Sequence, residues 1–118
     1  MTTQEVASRL VELCRQGKMQ DVLKELFAAN AVSIEPNDSM GPRTVSGLPA
    51  IIEKSKMFDS MMEAYHDSKI SEPLIAGDYF SLSWWVDATM KGRGRMQMQE
   101  ICVYKVEDGK IVSEQFFF

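Results

Sequence analysis

Two glutamates stand among strand-forming apolar residues. Glu100 lies within Met96-Gln97-Met98-Gln99-Glu100-Ile101-Cys102-Val103-Tyr104-Lys105-Val106, and Glu114 within Ile111-Val112-Ser113-Glu114-Gln115-Phe116-Phe117-Phe118. Alternate residues of a strand share a face, so Glu100 goes with Cys102, Tyr104 and Val106, and Glu114 with Phe116 and Phe118. A third, Glu35, closes Ala31-Val32-Ser33-Ile34-Glu35 just before Pro36. A carboxyl packed among apolar side chains loses hydration, and its pKa rises toward neutrality. A second carboxyl close by raises one of the two further. Such a group suits general acid or base work at neutral pH. The plainer alternatives are that Glu100 and Glu114 face outward and pair with Lys or Arg, since a bulge shifts strand parity, and that Glu35 is a solvated strand end.

Other reactive residue types offer less. His66 is the sole histidine. It follows a helix end and reads as a surface residue, and without a second histidine a metal site is poorly supported. Cys14 and Cys102 both sit in apolar patterns and read as reduced, buried thiols rather than a disulfide. Lys91-Gly92-Arg93-Gly94-Arg95 reads as a hairpin turn first and an anion contact second. No glycine-rich phosphate loop is present. The nine methionines and Trp84-Trp85 fit a core, and Met also suits a permissive apolar pocket.

The elements that would hold these residues follow from periodicity. Val6, Leu10, Leu13 and Cys14 recur at helical spacing over Thr3–Gln16, and Gly17 caps the end. A second helix is expected from Met19 to Ala28. A short strand over Ala31–Glu35 stops at Pro36, and a loop follows from Asn37 to Gly47. A third helix, with Ser46 as N-cap and Pro49 in its first turn, runs to about Ala64. Strands are expected over Tyr65–Ile75, Tyr79–Met90, Met96–Val106 and Ile111–Phe118. Asp108-Gly109 is a strong hairpin signal. The order α-α-β-α-β-β-β-β is an α+β layout, with three helices on one face of a curved, mostly antiparallel sheet.

Bulk properties bound the rest. The 118 residues suffice for one domain spanning 1–118 with a real core. A composition 45% hydrophobic and 25% charged is that of a globular chain. The net charge of −4, with no long basic tract, argues against nucleic acid as a partner. Residues 1–20 lack the apolar core of a signal peptide, and no run reaches membrane-spanning length. The expected setting is cytoplasmic, without membrane attachment. No cofactor is expected.

Three stretches carry a resemblance to a known group. They are Leu23-Lys24-Glu25-Leu26-Phe27-Ala28-Ala29-Asn30-Ala31-Val32, Gly47-Leu48-Pro49-Ala50-Ile51, and Val103-Tyr104-Lys105-Val106-Glu107-Asp108-Gly109-Lys110-Ile111-Val112. With the element order, the chain resembles the SnoaL-like and ketosteroid-isomerase-like domains of the nuclear-transport-factor-2-like superfamily, over essentially its whole length. That resemblance implies a bent sheet wrapped as a cone on a long helix, a pocket between them, and a homodimer through the outer sheet face. It places Glu35 where ketosteroid isomerases carry a carboxylate base, ahead of a proline. It places Leu10 at the oxyanion tyrosine and Cys102 at or beside the neutral carboxylic acid, and neither replaces those donors, so steroid isomerisation as such is not expected.

On that scaffold the predicted pocket comprises Leu10, Glu35, Phe58, Met62, Trp84, Val86, Met98, Glu100, Cys102, Tyr104, Glu114 and Phe116, apolar with a few convergent polar groups. Glu35, Glu100 and Glu114 are the candidate catalytic residues, with Glu35 or Glu100 as base and Glu114 or Tyr104 as donor. The expected ligand is a small apolar molecule, and the expected chemistry, if any, acts beside its carbonyl or hydroxyl. The rival reading is a non-catalytic dimeric module binding a ligand or protein. An RNA or protein-transport adaptor rests only on fold analogy and the Arg-Gly turn at 92–95.

Overall fold

A computed structural model describes residues 1–39 and 41–118. Helix α1 (Thr3–Arg15) is opened by Thr2 and Glu5, each side chain capping the other's backbone N–H. Helix α2 (Met19–Leu26) follows after Gly17. Then come β1 (Phe27–Ile34), β2 (Thr44–Ser46), α3 (Leu48–Met61), β3 (Met62–Ile70), β4 (Leu74–Ala76), β5 (Tyr79–Met90), β6 (Gly94–Glu107) and β7 (Lys110–Phe117). The sheet runs β2-β1-β7-β6-β5-β3, with β4 also on β5. Among the described residues only β1 and β7 pair in parallel, so the sheet is mixed but mostly antiparallel. It is curved and not closed.

Several boundaries differ from the sequence reading. The second helix stops at Leu26, because Phe27 is already extended (ψ 140°) and pairs with Ile111. β1 therefore starts earlier than expected and ends at Ile34, leaving Glu35 just outside it. Thr44–Ser46, expected as loop, adds an edge strand to β1; the rest of that loop includes Met40, which lies outside the described residues. Ser46 belongs to this strand, and the N-cap of α3 is Gly47, at φ 91° and without a side-chain cap. Helix α3 ends at Met61 because Met62 is extended and pairs with Met90. The strand expected over Tyr65–Ile75 is two strands, broken at Ser71–Pro73. Across that break Ser71 N–H donates to Ser83 O (3.0 Å), and Ser83 N–H donates to Ser71 Oγ (2.9 Å).

The β6–β7 turn has Asp108 at φ 51° and Gly109 at φ 75°, the pair of positive angles that a two-residue hairpin requires. The core joins the apolar stripes of α1 and α2 and Ile51 of α3 to one face of the sheet: Phe80, Leu82, Cys102, Tyr104, Val106 and Ile111. Phe80 and Tyr104 stack with ring centroids 4.7 Å apart. Both cysteines are free thiols. Among the described residues, no helix is long and apolar enough to cross a membrane.

Candidate functional site

The antiparallel register decides which predicted residues share the inner, helix-covered face. On β5 and β6, Phe80 pairs with Tyr104, Leu82 with Cys102, Trp84 with Glu100, and Val86 with Met98. On β6 and β7, Tyr104 pairs with Glu114 and Cys102 with Phe116. On β1, Ser33 pairs with Glu114. The inner face thus carries both strand glutamates, as alternation predicts. Its exposure varies along its length. Phe80, Leu82, Cys102 and Tyr104 are buried, as are Ala88 and Met90 at the far end, while Trp84, Val86, Met98 and Glu100 between them are half-buried. Phe116 and Met62 are also half-buried. Leu10 is buried on α1, whereas Phe58 on α3 is 41% exposed.

The polar centre is a chain of contacts from α3 to β7. Lys54 Nζ lies 2.6 Å from Glu35 Oε1 and donates to Ser33 Oγ at 2.8 Å. Ser33 Oγ donates to Glu114 Oε1 at 2.7 Å. The same ammonium sits 5.3 Å from the Phe116 ring centroid, within cation–π range. Glu35 and Lys54 retain about a quarter of their side-chain exposure, whereas Ser33 is fully enclosed and Glu114 only 8% exposed. A path of donors therefore leads from the partly solvated edge of the cluster to a buried carboxyl.

Glu100 and Glu114 are not cross-strand neighbours, because the Cys102–Phe116 pair lies between them in the ladder. They still influence each other. Burial pushes the Glu100 carboxyl up to about 7; the Cys102 thiol, donating at 3.6 Å, pulls it down, the charges of Glu35 and then Glu114 push it up, and Lys54 lowers it. Burial likewise pushes Glu114 up to about 7, against the lowering effects of Ser33 and Lys54. Tyr104 is buried in the core, which holds its phenolic proton far more tightly than usual. Burial raises the Cys14 thiol to about 12 and raises Cys102 as well.

Lys54 and Ser33 were not among the sequence candidates. Ser33 alternates with Ala31 and Glu35, so strand parity alone places it on the carboxylate face. Lys54 follows Ile51, the buried residue of α3, by three positions, which puts both on one side of the helix. His66 is exposed on β3, with Nε2 2.7 Å from Thr89 Oγ1, away from the cluster. Two surface clefts, of about 620 and 320 Å³, lie beside Met1–Thr3 and beside Glu72–Pro73; neither is lined by any member of the cluster. Among the described residues, no group of three or more His, Cys, Asp or Glu is arranged to hold a metal ion.

Comparison with known proteins agrees with this architecture. A search of curated proteins finds no match. Among solved structures, a protein of Mesorhizobium loti, provisionally described as a SnoaL-like polyketide cyclase and carbohydrate phosphatase, is 32% identical; the match covers 100% of both chains with a TM-score of 0.93. A nuclear-transport-factor-2-like protein of Burkholderia thailandensis superposes with a TM-score of 0.84 at 16% identity, covering 99% of this chain and 90% of the other. A Catenulispora acidiphila protein with a ketosteroid isomerase-like fold gives 0.68 at 21% identity, covering 82% and 72%. The profile of the SnoaL-like domain matches residues 1–118. Because that match spans residues 1–118, the chain belongs to the SnoaL-like domain family.

Proposed function

We propose that the half-buried stretch of the inner face binds a small, neutral, largely apolar molecule, and that Glu100 moves a proton on it at a carbon beside a carbonyl. The observation that carries this reading is that Glu100 and Glu114 share one helix-covered face of the sheet, where burial raises both carboxyls to about 7. With Glu35 paired to Lys54, these two carboxyls hold about one proton between them at neutral pH, which keeps acid and base forms both accessible. Glu100 is the member open enough to meet a ligand, with Trp84 opposite it and Met98 two residues away on its own face. Three carboxyls against one ammonium disfavour an anionic ligand. The provisional description of the M. loti relative as a polyketide cyclase fits, since cyclising a carbonyl chain requires proton removal beside a carbonyl.

The test is hydrogen–deuterium exchange at the α-carbons of a panel of cyclic ketones and enones in D2O, followed by proton NMR. Wild type accelerates exchange of at least one panel member, and Glu100→Gln lowers that rate by about 10²-fold or more, the scale of general acid–base catalysis. Equal exchange by the variant, or no exchange of any ligand that binds, contradicts the reading.

A second observation favours self-association. On the outer face Ile101 and Phe117 are cross-strand partners, 53% and 48% exposed, and Tyr79 on the same side is 49% exposed. Exposed apolar side chains on one sheet face fit an interface, and we propose a second copy of the chain as its occupant. Light scattering would then show a dimer for wild type and a monomer for Ile101→Lys; a monomeric wild type contradicts it.

A further inference from the structure

The direction of hydrogen bonding in the cluster distinguishes its two buried carboxyls. An ammonium can only donate, so Lys54 Nζ is the donor to Ser33 Oγ at 2.8 Å. The single hydroxyl hydrogen of Ser33 is then left for Glu114 Oε1 at 2.7 Å. Ser33 is fully enclosed, so its hydroxyl is shielded from competing solvent. The contact of Lys54 with Glu35 Oε1 at 2.6 Å fixes the ammonium in place. At Glu100 the donor is the Cys102 thiol at 3.6 Å, a much weaker one.

We propose that Lys54, acting through the Ser33 hydroxyl, makes Glu114 the first of the inner-face pair to lose its proton, so that Glu100 is the member that keeps its proton longer. Lys54 and Ser33 are positioning residues in this scheme. Glu114, once ionised, is a buried charge that tunes Glu100, and Glu100 is the group that exchanges a proton with the ligand. The titratable groups facing this pair are Glu35 beyond β1, Lys54 on α3, Cys102 and Tyr104 on β6, and Cys14 on α1. Burial keeps the thiols and the phenol neutral, so the charges that act are those of Glu35, Lys54 and the two glutamates. The inference deepens the acid–base reading of this site and rests on it for its functional meaning.

The test is a titration of the full chain carrying ¹³C-labelled glutamate side chains, with no ligand present. In wild type Glu114 loses its proton at lower pH than Glu100. Ser33→Ala raises the Glu114 midpoint by about one pH unit, the scale of one lost donor to a buried carboxylate, while the Glu100 midpoint falls because its neighbour is now neutral. Lys54→Met raises the Glu114 midpoint through the same chain, and Lys54→Arg, which keeps the charge, restores the wild-type order. Should Ser33→Ala fail to fold, the two Lys54 variants decide the matter. A wild-type Glu100 that titrates below Glu114, or a Glu114 midpoint indifferent to both Ser33→Ala and Lys54→Met, overturns the inference. Because the titration uses no ligand, the order can hold while ketone exchange fails, and exchange can succeed while the order fails.

Discussion

Glu114→Gln is expected to make the protein more stable in mild alkali, the reverse of the usual effect of removing a carboxylate. The Glu114 carboxyl is raised by burial from 4.5 to about 7. Between those values the folded chain binds more protons than the unfolded chain. The stability this group contributes is therefore complete below pH 4.5 and is lost as pH rises through about 7. A gap of roughly 2.5 pH units, at about 1.36 kcal/mol each, gives about 3 kcal/mol of stability lost by pH 8. Glutamine is nearly isosteric, can still accept from Ser33, and does not ionise. Its new amide hydrogens add a penalty of about 1–3 kcal/mol if left unpaired, but that penalty is nearly the same at every pH. The informative quantity is thus the change in unfolding free energy between pH 5 and pH 8. Wild type should lose about 2.5 kcal/mol more than Glu114→Gln across that interval. With a urea slope of about 1–3 kcal/mol per molar, the midpoints should diverge by about 1 M or more. Parallel pH dependence in the two proteins would refute the claim that a buried, raised carboxyl sits at Glu114.

Other expectations follow from the same geometry. Burial raises Cys14 to about 12 and raises Cys102 too, so neither thiol should react appreciably with an aromatic disulfide reagent at pH 8 until urea unfolds the chain; fast reaction of the native protein would contradict this. Gly109→Ala should destabilise the protein by at least about 1 kcal/mol, because φ is 75° and the added Cβ would lie 2.8 Å from Met1 N; an unchanged thermal midpoint would contradict it. Leu10→Ala, at a site 1% exposed, should cost about 2–5 kcal/mol by leaving a cavity, measurable by urea denaturation. A much smaller loss would mean that Leu10 lines open space, as a pocket residue would, instead of filling the core.

Alternation made the strand glutamates legible before any coordinates, because period two is a property of the backbone and survives ignorance of the partner strands. The bounds of β5 and the Asp108-Gly109 turn were legible for similar local reasons. The junctions were not. Phe27 and Met62 extend apolar runs that fit helical spacing, and each leaves its helix to pair with a distant strand, β7 or β5, which no local window contains. The parallel β1–β7 pairing that brings Ser33 to Glu114 spans 81 residues of sequence. Lys54 is not legible in the sequence, because a lysine on a helix normally marks the solvated face. Here it lies on the side of Ile51, where it meets Glu35 just after β1 and, through Ser33, Glu114 on β7 far along the chain.

Whether the inner face holds raised carboxyls is tested most directly by ¹³C NMR titration of the wild-type glutamate side chains. Two midpoints near 7, assigned to Glu100 and Glu114 and standing clear of the remaining glutamates, are the expected result. If both titrate near 4.5 with the exposed glutamates, burial has not perturbed them, and the case for acid–base chemistry on this face is gone.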